Sequence, residues 1–169
     1  GDFVTECFPG QFRNWFYSLL AMSAELEGKA PFKTLLGHAL VKDENGRDMH
    51  KSWGNAIWFE DAAEKMGVDV MRWMYSLQHV EQNLLFGYGP ADEVRKKLIT
   101  LWNVYSFYAT YAAVDGFDPR SNSLELDKLN ILDRWIIAKT HVLIKNGAAY
   151  MDDFRVDLFM RLFEVFLEE

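Results

Sequence analysis

Asp2-Phe3-Val4-Thr5-Glu6-Cys7-Phe8-Pro9-Gly10-Gln11, near the start of the chain, reads as a strand running into a helix. Residues 2–7 alternate and hold a β-branched pair, the pattern of a short strand. Phe8-Pro9-Gly10 is a breaker, and proline suits the start of a helix because its missing amide is one the first turn leaves unbonded anyway. From Gln11 the apolar spacing turns helical. Phe12, Trp15, Phe16, Leu19, Met22 and Leu26 recur at three and four, and Gly28 ends the run. Pro31 opens a second apolar segment, Thr34 to Val41, that reads as a buried strand. Strand, helix, strand is half of a parallel α/β sheet.

Working outward, Lys42-Asp43-Glu44-Asn45-Gly46-Arg47 carries an Asn-Gly pair, the mark of a tight turn between strands. Residues 48–55, Asp-Met-His-Lys-Ser-Trp-Gly-Asn, form a polar loop. Two short helices follow, Phe59–Met66 and Val68–Leu77, broken at Gly67. Gln78 to Gly89 reads as irregular, and Gly87-Tyr88-Gly89-Pro90 as a domain boundary. Beyond it the chain is helical. Val94, Leu98, Leu101, Tyr105, Tyr108 and Ala112 form a bundle stripe. Asp115 to Asn122 is a loop. Leu132, Trp135, Ile136, Leu143 and Tyr150 mark a second long helix, and Leu158, Phe159, Leu162, Phe163 and Phe166 a third.

Composition bounds the rest. The 169 residues amount to one ordinary domain or two small ones, and 13 Phe, 7 Tyr and 6 Trp exclude a disordered chain. The best apolar stretch, Trp15 to Ala24, covers ten positions where a membrane span needs about 20. No basic residue precedes the first apolar ones, so no secretory signal is read. Cys7, the single cysteine, cannot close an internal disulfide, which fits a reducing cytosol. A net charge of −7 argues against sequence-blind nucleic-acid binding while leaving a local basic site open. There is no initiator methionine, and the sequence stops at Phe166-Leu167-Glu168-Glu169 inside an apolar helical pattern, as a piece of something longer would.

Among residues that carry chemistry, Lys51 and Ser52 come first. A lysine ammonium suits a phosphate chain, a neighbouring hydroxyl adds a hydrogen bond, and Gly54 lets the loop move. No Gly-x-x-x-x-Gly-Lys precedes them, so this is not a P-loop, and on spacing alone a solvated Lys-Ser loop beside glycine is the commoner reading. Glu6 ends the first strand and Gln11 begins the next helix, where ligands of open α/β sheets lie. A helix N-terminal acid with an exposed glutamine is the alternative. His38, His50, His79 and His141 form no metal-ligand spacing with Cys7, so no metal site is expected. His38, inside an apolar run, reads as a core histidine. Trp15, Phe16, Tyr17 and the stripes of 94–112 and 158–166 read as packing.

Met49-His50-Lys51-Ser52-Trp53-Gly54-Asn55, after the Asn-Gly turn and before short helices, resembles the KMSKS loop of class I aminoacyl-tRNA synthetases. Gln11-Phe12-Arg13-Asn14-Trp15-Phe16 resembles the Gln-x-Arg-Gly-Trp-Phe segment of the isoleucyl enzymes, and Leu36-Gly37-His38-Ala39 their histidine-bearing strand. Gly67-Val68-Asp69-Val70-Met71-Arg72 is similar to their Gly-Ala-Asp-hydrophobic-hydrophobic-Arg helix. Gly116-Phe117-Asp118-Pro119 and Leu132-Asp133-Arg134-Trp135 are similar to the start of their helical anticodon-binding domain.

The resemblance implies an α/β plus all-α chain: the C-terminal half of a Rossmann-type nucleotide-binding fold, residues 1–85, followed by an incomplete helical bundle, residues 86–169, that begins the anticodon-binding domain. It implies ATP, with Mg2+ accompanying it, isoleucine and tRNA as substrates and partners in the cytoplasm. Lys51 matches the loop's second lysine and Ser52 its final serine, the catalytic pair. Glu6, Gln11, His50 and Lys51 would line the ATP and adenylate site. Asp48 stands where the loop has its first lysine and His50 where it has its first serine, so Lys51 would carry the phosphate contact with less help, or His50 would substitute when protonated. Gly10 stands where the family usually has an aspartate, and Asn14 where it has a glycine. The HIGH-bearing N-terminal half and the editing domain lie outside this chain, which by itself should not charge tRNA. Valyl or leucyl specificity, and a non-catalytic module of the same fold, are the other readings the residues allow.

Overall fold

The computed structural model describes residues 1–121 and 125–169. They divide into two compact units: Gly1–Lys65 with Gln78–Pro90, and Met66–Leu77 with Ala91–Glu169.

In the first unit, β1 (Phe3–Cys7) and β2 (Thr34–His38) pair in parallel, from Phe3 opposite Thr34 to Cys7 opposite His38. The expected strand–helix–strand is therefore present. Its helix is split into α1 (Phe8–Gln11), with Pro9 in the first turn, and α2 (Trp15–Glu27). Asn14, at φ −117° and ψ −132°, interrupts the helical backbone where the apolar period predicts one continuous helix. Gly28, at φ +64°, closes α2. Phe16 is buried against the rings of Phe8 and Phe32, with centroids 5.3 and 5.7 Å away. Trp15 and Tyr17, expected in the core, are exposed. A Cβ on Gly37 would collide with the Phe8 ring, so only glycine lets the two segments approach this closely.

The apolar run from Thr34 to Val41 is two strands. After His38 the partner strand has already turned into α1, and the backbone finds other partners: Ala39 N–H donates to the Val80 carbonyl (2.7 Å) and Leu40 N–H to Asn83 Oδ1 (3.0 Å). β3 (Val41–Asp43) then pairs in parallel with β4 (Leu84–Phe86) in a separate two-stranded sheet. β4 lies within the stretch read as irregular; three residues are too few to show alternation. His38 is exposed at the end of β2, its Nδ1 2.9 Å from the Ala39 carbonyl, and is not a core residue. α3 (Phe59–Lys65) is followed by the break at Gly67, φ +88°.

Gly87-Tyr88-Gly89-Pro90 is the beginning of a helix, α5 (Tyr88–Val114). Glu44 supplies its missing acceptor: its Oε2 accepts the Gly89 N–H at 3.1 Å, where a carboxylate answers the positive end of the helix.

The second unit is helical: α4 (Val68–Leu77), most of α5, α6 (Ile131–Asp152) and α7 (Val156–Glu168). Asn130 and Asp133 form a reciprocal capping box on α6. Trp73 of α4 packs on Phe163 of α7 and donates its indole N–H to Glu164 (2.9 Å), which also accepts from Lys97 (2.5 Å). The α5 stripe packs only in part: Val94 is buried, whereas Tyr105 and Tyr108 are 58% and 48% exposed. Residues 115–121 form the expected loop; its last expected residue, Asn122, lies outside the described residues. No helix among the described residues is long and apolar enough to cross a membrane.

Candidate functional site

The polar loop begins at the end of β3. Asp43 is 8% exposed, and its carboxylate organises the turn that follows: Oδ1 accepts from Asn45 N–H (3.0 Å) and Arg47 N–H (2.8 Å). Gly46, at φ +79°, reverses the chain. The Asn-Gly turn is therefore present, but it is not a hairpin. Residues 47–50 are not a strand, and β3 takes its partner from β4, more than forty residues on. Asp43 Oδ2 accepts a third hydrogen bond, from Asn55 Nδ2 (2.9 Å). The Asn55 side chain, then the Arg47 amide, hold the Asp43 carboxyl below the usual carboxylate range, against the opposing effect of its burial.

Asn55 also ties down the loop itself. Its Nδ2 donates to the Asp48 carbonyl (2.9 Å), and its Oδ1 accepts the His50 N–H (3.0 Å). Between these anchors Lys51–Trp53 forms one 3-10 turn, closed by Gly54 at φ +70°. The loop's acid, Asp48, is paired with Lys42 at 3.0 Å. Lys51 and Ser52 are exposed. The Lys51 ammonium sits 4.3 Å from the centre of the Trp58 ring and has no carboxylate partner among the described residues. His50 packs edge-on against Trp53, ring centres 4.2 Å apart. The turn thus presents one cation at its tip, held by an aromatic face, with no carboxylate on it among the described residues.

Glu6 and Gln11 form a second group beyond the end of β1. Glu6 Oε2 accepts from the Trp15 indole and Oε1 from its neighbour's amide at Cys7, both at 2.8 Å. Its observed role is to fasten the start of α2 to the end of β1. Gln11 Oε1 is buried and has no hydrogen-bond partner among the described residues. An unmet buried amide oxygen costs about 1–3 kcal/mol, so it is a ready acceptor for an incoming donor. No hydrogen bond or ion pair among the described residues joins Glu6 or Gln11 to His50, Lys51 or Ser52. Among the described residues there is also no cluster of three or more His, Cys, Asp or Glu placed to hold a metal ion.

Sequence reasoning missed Asp43, Lys42, Trp58 and the use made of Asn55. One signal was present: Asp43 three residues before Gly46 is the usual arrangement of a turn whose acid bonds the following amides. The reach from Asp43 to Asn55 has no such local mark.

The family model of tRNA synthetases class I (I, L, M and V) matches residues 2–86. The isoleucine–tRNA ligase of Pyrobaculum aerophilum is 38% identical over 172 aligned residues, covering 99% of this chain and 17% of that protein. Isoleucine–tRNA ligase 2 of Bacillus cereus is 39% identical over 147, covering 86% and 14%. The chain thus spans about a sixth of the length of these relatives. Among solved structures, a chain of the ternary complex of Agrobacterium radiobacter K84 LeuRS with tRNA and LeuAMS superposes with a TM-score of 0.77 at 16% identity, covering 99% of this chain and 22% of its own. That likeness is one of fold. With half of its residues matched by the family model, the chain belongs to the class I tRNA synthetases of the isoleucine, leucine, methionine and valine group.

Proposed function

We propose that this chain is part of an isoleucine–tRNA ligase, the cytoplasmic enzyme that activates isoleucine with ATP and transfers it to tRNA. Residues 1–85 are the C-terminal half of its Rossmann-type catalytic domain, and residues 86–169 open its helical anticodon-binding domain. The observation that carries the reading is 38% identity to an isoleucine–tRNA ligase in an alignment that covers 99% of the chain, through both units.

In the first step an isoleucine carboxylate oxygen attacks the α-phosphorus of ATP. The bond to the bridging oxygen breaks, and pyrophosphate leaves with the electron pair. Lys51 neutralises charge on the departing phosphates, and Ser52 adds a hydroxyl beside it. Its freedom from any carboxylate among the described residues supports that role. His50 stands beside Lys51, where the loop lacks its first lysine, and lines the same phosphate site. Glu6 and Gln11 line the adenylate pocket, Gln11 through its unmet oxygen. Mg2+ arrives with the nucleotide. The chain alone lacks the rest of the site and is inactive.

The test is ATP–pyrophosphate exchange by the full-length protein containing this sequence, driven by isoleucine, valine or leucine. Exchange strongest with isoleucine is expected; exchange driven by valine or leucine instead, or by none, overturns the reading.

A further inference from the structure

Asn55 is an unusual centre for a loop. Its amide uses both N–H donors and its oxygen on three residues of two segments: the Asp43 carboxylate on β3, and the Asp48 carbonyl and His50 N–H of the loop. No other side chain of this length has two donors and an acceptor on one planar group; aspartate cannot donate, and serine has one donor only. The bonds to residues 48 and 50 close the loop into a ring, and Lys51 follows directly at its tip. Asp43 in turn sits opposite Phe86 in the β3–β4 register, so the ring is fastened to a sheet. Its carboxylate is buried, carries three accepted hydrogen bonds and stays ionised.

We infer that Asp43 and Asn55 are positioning residues: the Asp43–Asn55 bond sets the conformation from which Lys51 reaches the phosphates. This rests on the ligase reading of Lys51. A loop fixed at both ends presents the ammonium at one place, and misplacement by about 1 Å can cost on the order of 100-fold in rate. The bond acts on the transition state through Lys51, and isoleucine binding does not involve it.

The test uses ATP–pyrophosphate exchange by the full-length protein containing this sequence, with a thermal melt of each variant. Asn55→Asp sets its own carboxylate against that of Asp43 and the Asp48 carbonyl, and should lower kcat by about 100-fold, with the KM for isoleucine unchanged. Adding Asp43→Asn restores a donor–acceptor pair with its direction reversed, and should recover about tenfold of the loss. On a Lys51→Ala background, Asn55→Asp should add little further loss, because the two changes remove the same contribution. Losses that multiply, a change confined to the KM for isoleucine, or full activity in Asn55→Asp would overturn the inference while leaving the ligase reading intact. If Lys51→Ala itself exchanges at the wild-type rate, the ligase role of the loop fails and the inference falls with it. A melting temperature lowered in Asn55→Asp but restored in the pair, without recovery of kcat, would show a purely structural bond.

Discussion

Lys42 Nζ lies 3.0 Å from Asp48 Oδ1, pairing the acid of the loop with a lysine on the neighbouring strand. The negative charge that the sequence places beside Lys51 is thereby answered before it can attract the Lys51 ammonium. Asp48 is largely exposed, so the pair adds well under about 1 kcal/mol to stability. Its consequence is electrostatic. Lys42→Ala should leave the thermal melt almost unchanged and raise the KM for ATP several-fold, as measured by pyrophosphate exchange. Asp48→Ala in the same background should reverse that rise.

The buried Asp43 gives the loop a pH dependence with a definite sign. Hydrogen bonds from Asn55 and the Arg47 amide lower its pKa in the folded chain. Its contribution is therefore fully present above the ordinary aspartate pKa of about 3.9, and is lost as pH falls through the lower folded value. Amide hydrogen exchange at Asn45 and Arg47 should stay slow from neutrality down to about pH 4 and accelerate beyond the intrinsic trend below that. Asp43→Asn should remove the transition.

Gly37 and Phe8 make a packing prediction. A methyl group at residue 37 would enter the Phe8 ring, and overpacking of this kind costs typically about 1–3 kcal/mol. Gly37→Ala should lower the urea midpoint accordingly, and Phe8→Leu in the same chain should recover part of the loss.

In the helical unit, Glu164 is the shared partner of the Trp73 indole and Lys97. Glu164→Gln keeps an acceptor for the indole, whereas Glu164→Ala leaves a part-buried N–H unmet. The alanine variant should lose about 1–3 kcal/mol in urea denaturation and the glutamine variant distinctly less.

Local rules were enough for most elements. The alternation read over residues 2–7 is a strand over Phe3–Cys7, the Gly28 and Gly67 stops sit where the structure puts them, and the three long helices appear where their apolar periods run. What failed depended on distant partners. Ala39 and Leu40 look like strand residues, yet their amides go to Val80 and Asn83 because β1 has already ended. β4 is only a strand because β3 is beside it. In the candidate site, the loop motif marked Lys51, His50 and Ser52 as candidates and the Gln-x-Arg segment marked Gln11. Asp43 was not, because its importance lies in a bond to Asn55 twelve residues away. Glu6 was legible as a strand-end acid, but its bond to the Trp15 indole was not. The apolar stripe on α5 signalled a buried face, and Tyr105 and Tyr108 stand exposed on it.

The most direct test of the central claim is ATP–pyrophosphate exchange by the 169-residue chain alone, and mixed with the HIGH-bearing half that the proposed ligase reading requires. The chain alone should be silent. The mixture should exchange with isoleucine, and Lys51→Ala in the chain should abolish that exchange. Exchange by the chain alone, or a mixture indifferent to Lys51→Ala, would contradict the account.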